Sequence, residues 1–227
     1  NLALALKMTL SGIKQNITVC ITMFVISLVL VFSGLMTENM IADIDPFINM
    51  IVGEVADSCI NINTEIEEEF LQKMDKNNSV SKCYLYHTVE LCHDGGIALS
   101  ATLSDDFQDV NNQSVCFEGR FPKYDNEVAI GAKYAKEKGL KPGDNITLSA
   151  ESNKAEYIIC GLTQVSNYLG KDCLLTRSGY ERMGSLQNVS YYINITDGTE
   201  IDAFNAKISK EFKNGINNTV NIQLAIN

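Results

Sequence analysis

Tryptophan is absent from this chain of 227 residues, proline occurs three times and histidine twice. Two histidines leave few ways to build a Ser-His-Asp relay, and no Gly-x-Ser-x-Gly elbow occurs, so hydrolysis is not expected. No GxxxxGKS or GxxxxGKT string is present, which leaves no phosphate-cradling loop of the P-loop kind. The lack of any CxxC pair argues against structural zinc. Basic clusters are missing too: 28 acidic residues face 18 basic ones for a net charge of -10. That balance excludes nucleic acid as an expected partner. Neither a low-complexity linker nor a short-period repeat interrupts the chain.

Against these absences stands one long apolar run, Ile17 to Met36, with no charge in it. Twenty residues in a helix reach about 30 Å, the thickness of a bilayer's hydrocarbon core. Lys7 and Lys14 precede the run while Glu38, Asp43 and Asp45 follow it. The positive-inside rule then places the start of the chain in the cytoplasm and the rest outside, with membrane lipid as the first partner. A secretory signal peptide competes with this reading, but its apolar segment is usually about 7 to 15 residues long. The exit Ser33 to Thr37 also offers no Ala-x-Ala pattern. A retained span over 1–38, lead-in included, is therefore expected, and the body beyond it reads as an ectodomain.

Past the span, Asn39 to Val52 keeps a helical look until Asp45-Pro46 and reads as a stalk. Cys59 to Asn63 alternates as a strand, and Thr64 with Glu67 matches a capping box for a helix over 64–75. Ile66, Phe70 and Met74 give that helix one face to bury. A strand from Val80 completes a β-α-β unit. The same order returns with a strand over 189–195, a helix over about 200–213 carrying Ile201, Phe204, Ile208 and Phe212, and a strand over 220–224. Two such units suggest an α+β fold: a split, ferredoxin-like and porter-like lobe formed by 39–94 and 187–227, with 95–186 inserted as a second, mixed α/β lobe. Within the insert, Asp94-Gly95-Gly96 reads as a turn, Glu127 to Ile130 as a strand, 131–138 as a helix capped by Gly139, and Pro142-Gly143 as a type II turn.

Seven cysteines occur; Cys20 lies in the apolar run and six lie beyond it. Six allow 15 pairings, and spacing does not choose among them. Cys160 and Cys173 flank the loop 166–170 and would pair if they face each other across a hairpin. Cys83 and Cys92, on one continuous strand, would point to opposite faces. The alternative is six reduced thiols packed as small hydrophobes. His87, Glu90, Cys92 and His93 are close in sequence, yet alternation along a strand separates them and their spacing fits no standard metal set. Glu65, Glu67, Glu68 and Glu69 read as an acidic face near a helix start rather than a calcium cluster. Arg120 reads as holding a loop through a carboxylate, with a substrate contact as the alternative. Asn112-Gln113-Ser114 and Asn194-Ile195-Thr196 match glycosylation acceptors, which matter only in a glycosylating host.

Gly119-Arg120-Phe121-Pro122, Glu127 to Gly131, the run Ala135 to Leu148 and Ile158 to Leu162 form an ordered series. In that order, behind a membrane helix, they resemble the extracytoplasmic core domain of MacB/FtsX-type ABC transporter permeases. The resemblance covers about residues 115–165 in motif detail and the chain in layout. It implies a non-catalytic permease component with no cofactor, metal or catalytic residue of its own. It further implies a cytoplasmic ABC ATPase subunit, a second permease copy or second permease half, and coupling between them by mechanotransmission through the stalk. The family layout also makes this chain one segment of a longer permease. A membrane-anchored binding or adhesion module with no ATPase is the alternative.

Overall fold

The computed structural model describes residues 13–42 and 54–227, except 152, 165, 166, 197 and 227. Helix α1, Ile13–Ala42, is a unit by itself. Its segment Asn16–Glu38 has a mean hydropathy of 2.6 and is long and apolar enough to cross a membrane. Three of its hydroxyls are satisfied within the helix: those of Thr22, Ser27 and Thr37 each donate to the carbonyl one turn back, at 2.8 Å. That is how a hydroxyl is tolerated where no water can solvate it. The expected stalk with Asp45 and Pro46 lies outside the described residues.

The remaining described residues form a second compact unit built on two sheets. The first contains β1 (Ser58–Asn63), β2 (Val80–Leu85), β10 (Asn188–Ile195) and β11 (Ile216–Asn221) in the order β11-β1-β10-β2, with every neighbouring pair antiparallel. Helix α2 (Glu67–Asp75) joins β1 to β2 and helix α5 (Ile201–Phe212) joins β10 to β11. This is the ferredoxin-like arrangement of two split β-α-β units. Alternation puts Ile60, Ile62, Val189, Tyr191 and Ile193 on the face the helices cover, where they pack with Phe70, Met74, Phe204 and Ile208. Each of these side chains contributes roughly 1.5–3 kcal/mol on leaving water.

The second sheet comprises β3 (His87–His93), β4 (Ile97–Ser104), β5 (Cys116–Gly119), β6 (Glu127–Gly131), β7 (Asn145–Ala150), β8 (Asn153–Thr163) and β9 (Asp172–Thr176). Its order is β5-β8-β6-β9-β4-β3-β7, and β7 pairs back onto β8, closing a six-stranded barrel with β5 attached outside the ring. Closure fills the interior with side chains. Leu91, Leu99, Ala101, Leu103, Val128, Ile130, Leu148, Tyr157, Ile159, Cys173 and Leu175 all reach this core. Helix α3 (Ala132–Lys138) follows β6 and ends as expected. Gly139 sits at φ +68°, its N–H reaches Lys136 and that of Leu140 reaches Ala135 at 2.9 Å, a Schellman closure. The Lys141-Pro142-Gly143-Asp144 turn is held by Asp144 N–H donating to Lys141 at 3.1 Å, with Gly143 at φ +95°.

Several expectations are corrected here. Residues 80–93 are two strands in two sheets, broken at Tyr86, so Cys83 and Cys92 do not share a strand. The final strand comes earlier than expected, at 216–221, and is followed by helix α6 (Ile222–Ile226). The capping box does not form: Thr64 lies in a 3-10 turn and its hydroxyl donates to Leu186 and Gln187 across the fold, while no side chain caps α2. Cys160 and Cys173 are not paired either, because β6 lies between their strands and the buried Cys173 faces the barrel core. All seven cysteines are free. Burial pushes the Cys160 thiol up to about 12, keeping it protonated and unreactive. Thermal unfolding of the chain is accordingly expected to be the same with and without a reductant. A drop in melting temperature on reduction would contradict this assignment.

Gly161 on β8 shows why β5 can lie so close outside the barrel. A Cβ there would meet the Arg120 carbonyl and come within 2.8 Å of Cys116 Sγ and 3.0 Å of Arg120 N, whereas one on Gly96 would meet nothing within 4 Å. Gly161→Ala is expected to cost about 2 kcal/mol in denaturant titrations, with Gly96→Ala near neutral.

Candidate functional site: the junction between the two sheets

Glu54 precedes β1 and is almost completely buried, at 4% exposure. Its carboxylate accepts from Tyr84 Oη at 2.5 Å and from the backbone N–H groups of Asn111 and Asn112 at 2.6 and 2.9 Å. Tyr84 belongs to the first sheet, while Asn111 and Asn112 lie in the loop between β4 and β5. One side chain therefore ties the entry of the domain to both sheets. Asn111 adds to the knot, donating to the carbonyl of Val55 at 2.8 Å and exchanging amide hydrogen bonds with Asn194 of β10. Burial, and then the neighbouring Glu54, push the Tyr84 phenol up, so it stays a donor.

Beside this knot an aromatic layer fills the gap. Tyr84, Phe107, Val110 and Val115 pack on Ala129 and Leu174, which point outward from the barrel wall, with Tyr86, Phe121 and Tyr192 at the margin. Tyr86 and Tyr192 lie 4.7 Å apart between ring centroids, and Phe107 stacks parallel to Phe121 at 5.5 Å. This explains why every residue of β6 and β9 is buried: one face lines the barrel and the other lies under the junction.

A second tie joins α2 to helix α4 (Arg177–Glu181), which follows β9. The Arg177 guanidinium grips both oxygens of Glu67, with Nη2 2.8 Å from Oε2, and Tyr191 donates to the same carboxylate at 2.5 Å. Burial pushes the Glu67 carboxyl upward, but the hydrogen bonds from Arg177 and Tyr191 and the Arg177 charge outweigh it and hold the group below its ordinary value. Such a group stabilises the fold above the usual carboxylate range and loses that contribution as pH falls through its depressed pKa. A double-mutant cycle of Glu67→Gln and Arg177→Met is expected to give a coupling of about 2 kcal/mol at pH 7, between exposed and fully buried pairs. The coupling should shrink as pH falls through the depressed Glu67 pKa.

The other residues singled out in the sequence are scattered. Arg120 forks onto the Glu127 carboxylate and reaches the carbonyl of Phe121, so it holds the 120–127 loop. Lys123 N–H also donates to Glu127, at 3.0 Å. His87 Nδ1 lies 3.2 Å from Ser190 Oγ, and His93 Nδ1 contacts Tyr134 Oη at the other end of β3. Desolvation lowers both imidazoles, and Arg177 adds to this at His87. Among the described residues no group of three or more metal-ligating side chains converges. Of the acidic run only Glu67 turns into the junction; its partner lies 110 residues away, which no local pattern announces. Glu54 carries no motif, and the only hint for it is an acid standing between two small apolar residues just ahead of a strand.

The junction thus joins a ferredoxin-like sheet to a closed six-stranded barrel. The solved periplasmic region of MacB from Actinobacillus actinomycetemcomitans is similar at 12% identity and a TM-score of 0.50, over 78% of this chain and 95% of that one. The extracellular domain of the noncanonic ABC-type transporter YknZ from Gram-positive bacteria is similar at 10% identity and a TM-score of 0.51, over 71% and 97%. No protein-family model and no curated protein matches the sequence. The shared feature is the fold: the body has the architecture of a MacB-like periplasmic domain.

Proposed function

We propose that the chain is the membrane helix and extracytoplasmic domain of an ABC transporter permease subunit. The observation that carries this reading is the succession of one helix long and apolar enough to span a bilayer and one body of MacB-like fold. In this reading the body is extracytoplasmic, performs no bond-breaking, and works with a cytoplasmic ATPase and a second permease copy or half. ATP-driven closure of the ATPase biases the membrane helices, and that bias reaches the body through the chain that enters it at Glu54. A ligand or partner on the outside shifts the same equilibrium in return, because coupling is reciprocal. Glu54 and the Glu67–Arg177 tie are the groups best placed to transmit it, since each joins both sheets. The domain division is proposed with it, with the boundary expected at 94 moved to 86 because His87–His93 pairs into the second sheet: 1–38 as lead-in and span, 39–86 and 187–227 as one lobe, 87–186 as the other.

The test is purification of the protein, at its full natural length, in mild detergent. Retention of a nucleotide-binding subunit, whose ATPase rate falls on Glu54→Ala, supports the reading. Purification of a lone chain without such a subunit would leave the anchored binding module as the function instead.

A further inference from the structure

β3 ends at His93, one of two histidines in the chain, and this residue is only 8% exposed. Its ring is held from two sides. Nδ1 contacts the hydroxyl of Tyr134 on α3, with the two rings edge to face and their centroids 5.7 Å apart. Nε2 lies 3.4 Å from Oδ1 of Asp94, whose other oxygen is 3.4 Å from Lys138 Nζ, again on α3. A carboxylate only accepts, so Asp94 keeps the proton of the neutral ring on Nε2 and leaves Nδ1 bare to accept from Tyr134. His93 thereby fastens α3 to the end of the barrel.

A neutral imidazole suits this phenol, and an imidazolium does not. A second proton on the ring goes to Nδ1, which then donates to Tyr134 Oη, and the phenol proton has to turn away. Tyr134 is buried in the barrel core, and its hydroxyl makes no other hydrogen bond among the described residues. The new charge is also weakly compensated. Burial lowers the imidazole, Asp94 opposes this, and Lys138 adds to the lowering. Leu148 of β7 and Ile97 of β4, the residues paired with His93, bring no charge. Lys154, across the hollow that Asp94 lines, is a further cation, and Glu137 and Cys173 are the other titratable groups near the Tyr134 hydroxyl.

We propose that the His93–Tyr134 contact is an acid-released latch: a proton taken up at Nδ1 from a mildly acid medium breaks it and loosens α3 together with the loop that rests on it. Lys133 of α3 packs its side chain against Gly170, and the exposed Tyr168 and Leu169 just before it form one wall of a cleft of about 750 Å³ over β3 and β4. Loosening α3 therefore reshapes that cleft. The unfolded chain binds this proton more readily than the folded one, so the hold of His93 on α3 is intact above the ordinary imidazole value and declines as pH falls below it. The assignment goes beyond the permease reading and does not depend on it, because it concerns only groups at one end of the barrel.

The experiment uses the chain in nanodiscs with isotope-labelled histidine, and His87→Gln assigns the two ring signals. The His93 ring is expected to titrate below the ordinary imidazole value. Amide exchange over 132–138, corrected for its intrinsic pH dependence, should speed up at least fivefold across the same interval, while 58–63 and 188–195 stay unchanged. Two variants move the midpoint in opposite directions and leave the latch itself in place: Lys138→Met should raise it and Asp94→Asn should lower it, with exchange over 132–138 following each time. Both side chains are partly exposed, so neither variant removes a core group. Tyr134→Phe should leave exchange there nearly independent of pH. A ring that stays neutral down to pH 4 overturns the proposal. So does exchange over 132–138 that fails to follow the His93 ring in the wild type or in either charge variant, because the loosening would then belong to another group.

Discussion

Glu54→Ala is expected to destabilise the extracytoplasmic body by about 3 kcal/mol, the loss that follows when a buried, hydrogen-bonded carboxylate is removed and its donors stay behind. Two backbone N–H groups and the Tyr84 hydroxyl would lose their acceptor in a site that is 4% exposed. Glu54→Gln keeps the shape and one acceptor oxygen but presents an amide N–H₂ to donors, so it should recover only part of the loss. Denaturant titration of the chain measures both. The expected pattern beyond the midpoint shift is local: amide exchange at Asn111 and Asn112 should speed up more than exchange inside the barrel, because those two donors are released first. A uniform change across both sheets would show that Glu54 merely adds to global stability, and its role as the tie would fall.

How far the sequence foretells this molecule depends on how local each signal is. Helix α2 and helix α5 followed from apolar residues at helical spacing, and Phe70, Met74, Phe204 and Ile208 are buried where that spacing put them. Gly139 and Pro142-Gly143 were readable because a positive φ and a fixed φ are properties of the residue itself. The break at Tyr86 was hidden. Residues 80–93 alternate without a glycine or proline, and only the pairing of 80–85 with β10 and of 87–93 with β4 separates them. Thr64 and Glu67 matched a capping box by spacing, yet each found a stronger partner far along the chain, Thr64 at Leu186 and Gln187 and Glu67 at Arg177. The junction was invisible for the same reason. Its ties connect residues between 30 and 124 apart, and such contacts leave no periodic trace. Barrel closure depends likewise on β7 meeting both β3 and β8, a property of register that no segment carries alone.

Asp172→Asn is expected to stabilise the body by about 3 kcal/mol at pH 7, the reverse of what removing a charge usually does at a tied position. Asp172 opens β9 beneath the junction and is 7% exposed. One carboxylate oxygen accepts from Thr163 Oγ1 at 2.8 Å, while the other, Oδ1, has no hydrogen-bond partner among the described residues. Burial pushes the group up to about 6, from an ordinary 3.8, and the Thr163 hydrogen bond opposes only part of that rise. The folded protein therefore binds this proton more tightly than the unfolded chain does. Stability linked to Asp172 is fully present below the unfolded value, falls as pH rises through the interval to about 6, and stays reduced above it. Two pKa units correspond to about 3 kcal/mol, which an uncharged amide at the same place would recover. Wild-type unfolding free energies between pH 4 and pH 7 should show this decline, superposed on the opposite trend from Glu67 at lower pH, and the Asn variant should lack it. The two curves should then converge toward pH 4. A variant less stable than wild type at pH 7 would mean that the ionised carboxylate is held by a partner, and the reading of Oδ1 as an uncompensated charge would be wrong.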